Sequence, residues 1–123
     1  VFMLHYRGYR VLITGDLDSE GELAMLRYYE ENNETDRLRA DVLKVGHHGS
    51  KTSSAAAFLD VVNPRIAVIQ VGRNNYGHPS PEILKRFAAR GILVFRNDLY
   101  GAIGLKFQGK NGIRVDTMRK ASA

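Results

Sequence analysis

The sequence predicts an α/β fold with a mixed sheet and about three helices. Three observations support this class. Four short apolar runs have the length and composition of strands. The three segments that separate these runs have the spacing of helices, and a strand–turn–strand pattern closes the chain. Alternation of strand and helix is typical of layered α/β proteins. In such sheets the functional residues collect in loops just beyond the strand ends.

The strands are predicted from apolar runs and from alternation. Residues 2–7 and 10–14 flank Gly8 and predict a hairpin. Three further runs have the continuous apolar character of buried strands, and the last two segments predict a closing hairpin. These strands are 40–45, 65–72, 92–95, 102–107 and 113–118.

The first helix is predicted over residues 18–33. Ser19 followed three residues later by Glu22 has the pattern of a capping box. Leu23 and Leu26 follow at helical spacing and predict the face that meets the core.

Two further helices have clear boundaries. The segment 53–62 is predicted to be a short helix that Pro64 stops. Over 80–91, Ser80 is the predicted N-terminal cap and Gly91 the predicted end. The three helices therefore separate four strands in sequence order.

Length and composition predict a partial domain over residues 1–120 and a tail over 121–123. The chain has 123 residues and no cysteine, so disulfides and thiolate metal sites are excluded. No apolar run approaches the roughly 20 residues that span a bilayer, and no signal-peptide pattern opens the chain. Because the sequence begins inside strand-like material, we expect an excised fragment.

The charge balance is basic. The formal net charge is +5 and the isoelectric point is about 9.7. Such a balance fits a polyanionic partner such as nucleic acid, and it equally fits an ordinary soluble surface. The basic residues are spread along the sequence, which weakens the argument from charge alone.

Three loops after apolar strands share one design, in which a glycine precedes or adjoins a potential metal ligand. Asp16 follows Gly15 in the first loop, His47 and His48 follow a strand in the second, and His78 precedes Pro79 in the third. If the strands are neighbours, the three loops meet at one edge of the sheet. The sequence therefore predicts that these four side chains converge.

A carboxylate with imidazoles suits zinc, manganese or iron. An aspartate can bridge two metals, and two metals roughly 3.5–4 Å apart can activate a water and stabilise the leaving oxygen of a phosphodiester. Because neighbouring side chains diverge in extended backbone, we expect one histidine of the pair to be a ligand and the other either to support the ligands or to contact substrate.

Each motif also has a structural interpretation. Gly-Asp is a common turn, and His78 can simply precede a helix. His5 is interpreted as a strand residue without a catalytic role. The serines and threonine of the segment 50–54 could hold a phosphate at a helix N-terminus, although capping accounts for one of them.

Taken together, the motifs "LITGD", "LKVGHHGSKTSS" and "GHPSPE" carry a family resemblance. In this order and spacing, the chain resembles the C-terminal part of the metallo-β-lactamase-fold domain of ComEC-type DNA internalisation (competence) proteins. The resemblance covers residues 2 to 107. It implies the C-terminal half of an αββα sandwich with a di-metal site at one edge.

The resemblance also implies roles for residues. Asp16 matches the aspartate that bridges two metals, and His47 matches a late histidine ligand. His48 and His78 match motif positions to which we assign substrate contact or proton transfer, and the same loop leads us to assign Ser50 and Lys51 to substrate binding.

The resemblance further implies an activity and a setting. The expected reaction is hydrolysis of DNA phosphodiesters with zinc or manganese, which degrades the non-transported strand during DNA uptake. The implied partners are DNA and the rest of a polytopic membrane channel protein. The implied location is a soluble domain of a bacterial cell-membrane protein, on the extracytoplasmic face.

The chain departs from the family at its main metal motif. The HxHxDH-like segment and a further histidine ligand should lie upstream, and only His5 precedes Asp16. We therefore expect a fragment that binds metal weakly or not at all and is inactive alone. The alternatives are a metallo-β-lactamase-fold phosphoesterase or lactonase for another substrate, and a non-catalytic DNA-binding domain.

Overall fold

The computed structural model describes residues 1–72, 74, 77–110 and 112–120. The predicted tail, 121–123, lies outside the described residues. The strands are β1 (Phe2–Tyr6), β2 (Tyr9–Ile13), β3 (Val42–Lys44), β4 (Ile66–Ile69), β5 (Leu93–Arg96), β6 (Ile103–Gln108) and β7 (Gly112–Thr117). The helices are α1 (Ser19–Glu31), α2 (Ala56–Val62), α3 (Pro81–Ala89) and the one-turn α4 (Asn97–Tyr100), and 3₁₀ turns cover Thr35–Leu38 and Gly46–Gly49.

The main sheet is mixed, with five strands in sequence order. The strand β1 pairs with β2 antiparallel, and β2, β3, β4 and β5 follow one another in parallel. The predicted α/β class and mixed sheet are thus confirmed, as are the three predicted helices; α4 is additional. Because the parallel strands are joined by helices in unbroken order, right-handed crossovers place all three long helices on the same face.

The hydrophobic core lies between that face and the helices. Register aligns a row of side chains across the sheet, which is Met3, Leu12, Leu43, Ala67 and Val94. This row packs against Phe58 and Val62 of α2 and against Ile83 and Phe87 of α3. Burial of these apolar side chains is the main stabilising term of the layer.

The β6–β7 hairpin covers part of the opposite face of the sheet, on which Leu4 of β1 and Leu93 of β5 remain 48% and 61% exposed. Val42 and Ile66 point to this face and are only 1% and 4% exposed. Tyr9 joins the two layers, since its ring lies 4.9 Å from that of Phe107. The molecule is therefore built as helices, a first sheet and a second small sheet, which is consistent with a fragment of the predicted αββα sandwich.

The hydroxyl of Tyr9 closes the turn of the hairpin. It accepts a hydrogen bond from the backbone N–H of Gly112 at 2.7 Å. Its own proton has three carbonyl oxygens within reach, of which that of Gly109 is nearest at 2.7 Å. One hydroxyl thus satisfies both a donor and an acceptor of the second layer.

We predict that Tyr9→Phe lowers the free energy of unfolding by about 1–3 kcal/mol, because it leaves a backbone N–H without its partner. Urea denaturation followed by circular dichroism measures the change. Tyr6→Phe is the matched control, since Tyr6 is the register partner of Tyr9 on β1 and is 53% exposed. An equal loss in both variants would show that the hydroxyl of Tyr9 has no special part in holding the hairpin.

The structure corrects the predicted start of the first helix. Asp18, not Ser19, is the N-cap, and its side chain accepts from the N–H of Gly21 at 2.9 Å. Glu22 does not complete a capping box, because its carboxylate is turned into the protein. The buried face accordingly runs through Glu22 and Leu26, and Leu23 is 37% exposed.

Two other expectations were wrong in detail. The helix predicted over 53–62 begins at Ala56, because Ser53 donates its hydroxyl to the carbonyls of Gly46 and Ser50 in the preceding turn. The strand predicted to be buried over 92–95 is the edge strand β5, and Leu93 is 61% exposed. An apolar run alone does not reveal that a strand has only one neighbour.

Within the described ranges, the structure contains no helix with the length and apolar character needed to cross a membrane.

Candidate functional site

The three glycine-flanked loops meet at the carboxyl ends of the parallel strands. Backbone hydrogen bonds join them. The N–H of His47 donates to the carbonyl of Gly15 at 3.0 Å, and the N–H of Ser80 donates to the carbonyl of Gly49 at 2.9 Å. The second loop is thus attached to the first loop on one side and to the third on the other.

Two glycines allow the loops to approach so closely. A Cβ at Gly46 would lie 2.9 Å from the carbonyl oxygen of Leu17 and 3.0 Å from the hydroxyl of Thr14. A Cβ at Gly49 would lie 2.8 Å from the side chain of Pro79. Contacts this short exclude a side chain at either position without movement of the neighbouring loop.

The backbone of the histidine pair is left-handed rather than extended. His47 has φ 53° and ψ 37°, and His48 has φ 52° and ψ 28°. Our premise that the two side chains diverge along an extended strand was therefore wrong. Non-glycine residues in this region cost about 1–3 kcal/mol each, and such strain is concentrated at functional sites.

The ring of His47 faces the third loop. Its centroid lies 6.3 Å from that of His78, and the two rings are nearly perpendicular. The Nδ1 atom of His47 is buried and has no hydrogen-bond partner. A buried polar atom without a partner is costly, so a group bound from outside would stabilise it.

The ring of His48 is oriented differently. Its Nδ1 lies 2.7 Å from the carbonyl oxygen of Gln70, at the end of β4. Because a carbonyl only accepts, Nδ1 must carry the proton. The Nε2 atom of the exposed His48 is then the ring atom left to act as a base or to contact a substrate.

The third loop is held by Asn74. Its side-chain amide donates to the carbonyl of His78 at 2.9 Å and accepts from the N–H of His78 at 3.1 Å. The same amide donates to the carbonyl of Gly72 at 3.0 Å. His78 is therefore positioned through its main chain, and its ring faces that of His47.

Asp16 is exposed in the first loop, beside Gly15 whose carbonyl binds the second loop. Among the described residues, no three histidine, aspartate or glutamate side chains are grouped so that they could hold a metal ion. Catalytic metals need about three protein ligands. The donors in this part of the chain thus do not make a complete metal site, although the unpartnered Nδ1 of His47 suits one ligand position.

The residues assigned to phosphate or substrate binding have different surroundings. Ser50 is buried, and its hydroxyl pairs with that of Thr52 at 2.9 Å. Lys51 is exposed. The hydroxyl of Ser53 is bonded to backbone carbonyls of the turn. Lys51 is therefore the residue of this group that presents a charge to solvent.

A buried carboxylate supports the second loop from behind. Glu22 accepts hydrogen bonds from the N–H groups of Ser54 and Ala55, both at 2.7 Å. Arg86 donates to the carbonyl of Ser54 at 2.7 Å. Burial raises the pKa of the Glu22 carboxyl, although the two backbone hydrogen bonds and the charge of Arg86 oppose the shift.

Sequence reasoning missed Gln70 and Asn74, and it assigned Glu22 to a capping box instead of to the support of the second loop. Gln70 had a signal, since it is a polar residue where a buried strand ends. Asn74 lies within a glycine-bounded loop, where asparagine commonly bonds to nearby backbone. Glu22 had none, because a glutamate in the first turn of a helix is ordinarily exposed.

Comparison with known proteins identifies a family and several relatives. The family described as the Metallo-beta-lactamase superfamily matches residues 1–73. Competence protein ComA of Neisseria gonorrhoeae is 40% identical over 91% of this chain, which is 16% of that protein. ComE operon protein 3 of Bacillus subtilis is 35% identical over 91% of this chain and 14% of its own length.

A further relative is Recombination protein 2 of Haemophilus influenzae, which is 33% identical over 79% of this chain and 11% of its own length. The chain therefore spans about one-sixth or less of these relatives. Its similarity to ComEC-type competence proteins confirms the predicted resemblance. On the match over more than half of its residues, the chain belongs to the metallo-β-lactamase superfamily.

Proposed function

We propose that this chain is part of a metal-dependent hydrolase domain that cleaves DNA phosphodiesters, and that it degrades the non-transported strand during competence-related DNA uptake. Membership of the metallo-β-lactamase superfamily supports a hydrolase. The similarity to competence proteins supports a role in DNA uptake. The observation that carries the proposal is the convergence of the three loops on His47, whose buried Nδ1 has no partner.

Each site residue has a proposed role. Asp16 and His47 are proposed as metal ligands. His48, with Nδ1 fixed by Gln70, and His78 are proposed to move protons or contact the substrate. Ser50 and Lys51 are proposed for substrate binding, Lys51 through its charge and Ser50 by shaping the loop.

The metal, zinc or manganese, is proposed to need ligands from outside this chain. Two ligands bind a divalent ion weakly, whereas catalytic sites use about three. We propose the domain to be a soluble, extracytoplasmic part of a larger bacterial membrane protein, with its channel portion as a partner. Residues 1–120 would form the partial domain.

We predict that the 123-residue chain does not cleave DNA with Mn²⁺ or Zn²⁺. In a longer polypeptide that also carries the expected upstream metal motif, cleavage should appear, and Asp16→Asn and His47→Gln should each lower it at least about 100-fold. A gel assay on end-labelled single-stranded DNA measures both, and calorimetry measures metal affinity.

His5→Gln in the longer polypeptide is the control. His5 is an exposed histidine of β1, on a strand at the edge of the sheet. Clear turnover by the 123-residue chain would refute the partial site. Full activity in both site variants would refute the ligand roles of Asp16 and His47.

A second candidate is a non-catalytic DNA-binding domain. The observation in its favour is that no three potential ligands are grouped among the described residues. Retained DNA affinity in the longer polypeptide, with no hydrolysis under any divalent metal, would favour it. Hydrolysis of a simple phosphodiester or lactone but not of DNA would instead favour a family member with another substrate.

A further inference from the structure

A basic groove lies at the end of the sheet opposite the candidate site. Three adjoining concavities form it, and all three are lined by Asp41, just before β3. The first extends to residues 63–65 and 90–91, ahead of β4 and β5. The others extend to the β1–β2 turn at Gly8 and to the β6–β7 turn at residues 109–110. The groove thus follows the amino ends of the parallel strands, whereas the site loops follow their carboxyl ends.

The groove contains the charge excess of the whole chain. Six basic residues line it, which are Arg7, Arg10, Arg39, Arg65, Arg90 and Lys110. Among the described residues that line the groove, one is acidic, and it is Asp41. Because the chain has 18 basic and 13 acidic residues, the remaining twelve of each sign balance, and the formal net charge of +5 resides in this lining. Residues spread along the sequence are therefore gathered in space.

Arg10 and Arg90 donate hydrogen bonds to backbone carbonyls. The guanidinium of Arg10 donates to the backbone carbonyls of Asp36 and Arg37, so its charge is not cancelled. The carboxylate of Asp41 accepts from the backbone N–H of Arg10 at 2.9 Å. Arg90 is partly neutralised, since it pairs with Asp60 at 2.8 Å. The lining remains positive, and Arg10 and Arg90 are held in it by hydrogen bonds.

The chemistry of the lining favours a chain of phosphates. Five of the six cations are arginines, whose planar fork matches phosphate oxygens in a bidentate way. At the rim, the guanidinium of Arg7 lies over the ring of Tyr6, 5.4 Å from its centroid, and Tyr6 is 53% exposed. Basic grooves that combine arginine and aromatic side chains recur among proteins that bind single-stranded nucleic acid.

We propose that this groove binds single-stranded nucleic acid through its backbone phosphates, separately from the candidate metal site. The two places lie on opposite ends of strands that run about 15–20 Å from turn to turn. Binding there needs no metal and no hydrolysis.

The test uses fluorescence anisotropy of a labelled oligothymidylate with the 123-residue chain in EDTA, over a range of salt concentrations. The groove variant combines Arg7→Gln, Arg39→Gln and Lys110→Gln, all at exposed positions. The control variant removes the same charge elsewhere, with Arg27→Gln, Lys85→Gln and Lys120→Gln, also exposed. Thermal unfolding confirms that both variants fold.

The groove variant should lose at least about 10-fold in affinity. Its negative slope of log K against log salt should become shallower by about 2. The control variant should change less than about 3-fold. Equal losses in the two variants, no loss in the groove variant, or no binding by the original chain would overturn the proposal. So would equal or tighter binding to duplex DNA.

Vesicles containing phosphatidylserine test the other polyanionic surface. Binding to vesicles that depends on the groove, with oligothymidylate binding unchanged in the groove variant, would overturn the proposal in favour of a membrane. Asp16→Asn and His47→Gln should leave oligothymidylate binding unchanged. A failed nuclease assay therefore leaves this proposal standing, and loss of groove binding leaves the proposed hydrolysis standing.

Discussion

Glu22→Ala is expected to lower the free energy of unfolding by about 3–5 kcal/mol. The carboxylate is only 1% exposed, and it accepts from the N–H groups of Ser54 and Ala55 at 2.7 Å. Alanine leaves both donors without a partner and opens a cavity, and each buried unsatisfied group costs about 1–3 kcal/mol. Urea denaturation measures the loss, with Glu20→Ala as control because Glu20 is exposed in the same helical turn.

The pH dependence of stability provides a second readout on Glu22. Burial raises the pKa of this carboxyl in the folded chain above its ordinary value of 4.5. The folded state therefore holds the proton more tightly than the unfolded state, and stability falls as pH rises from about 4.5 through the raised pKa. In Glu22→Gln this fall should be absent. The assignment would be contradicted if the original chain became more stable relative to Glu22→Gln as the pH rises.

Gly49→Ala is expected to cost about 2–5 kcal/mol of the free energy of unfolding. Gly49 has φ +79°, and an added Cβ would lie 2.8 Å from the Cβ of Pro79 and 3.1 Å from its Cα. The left-handed backbone accounts for about 1–2 kcal/mol, and the overpacking adds about 1–3 kcal/mol. Thermal or urea unfolding measures the sum.

Gly91→Ala separates the two contributions. Gly91 also has a left-handed φ, +67°, but a Cβ there meets no heavy atom within 4 Å. Its cost should therefore be that of the backbone alone. Equal losses in Gly49→Ala and Gly91→Ala would mean that the third loop moves away from the second, so that the close approach at Pro79 contributes nothing.

The convergence of the loops could be predicted because it depends on strand order. Apolar runs at 40–45 and 65–72 indicated strands, and parallel strands place their following loops at one edge. The predicted convergence of the four side chains was wrong, because no three potential ligands are grouped among the described residues, although the rings of His47 and His78 face each other. The hydrogen bonds between the loops could not be predicted, because the pattern of residues did not indicate the left-handed conformation of His47 and His48.

The groove could not be predicted from the sequence because its members share no local pattern. Arg7, Arg39 and Lys110 are far apart in the chain and adjoin only because β1, β3 and the second sheet end at one side. The burial of Glu22 could not be predicted for a related reason. Its partners are more than 30 residues away, so helical periodicity placed Leu23 in the core instead.

The attachments of the second loop have a consequence for how this site can change over evolutionary time. His47, Gly49 and Ser80 join their neighbours through main-chain N–H and carbonyl groups. These main-chain attachments do not depend on which functional side chains the loop carries, provided that they tolerate a left-handed backbone. Such a loop can acquire a new reactivity by point substitution without first having to be rebuilt.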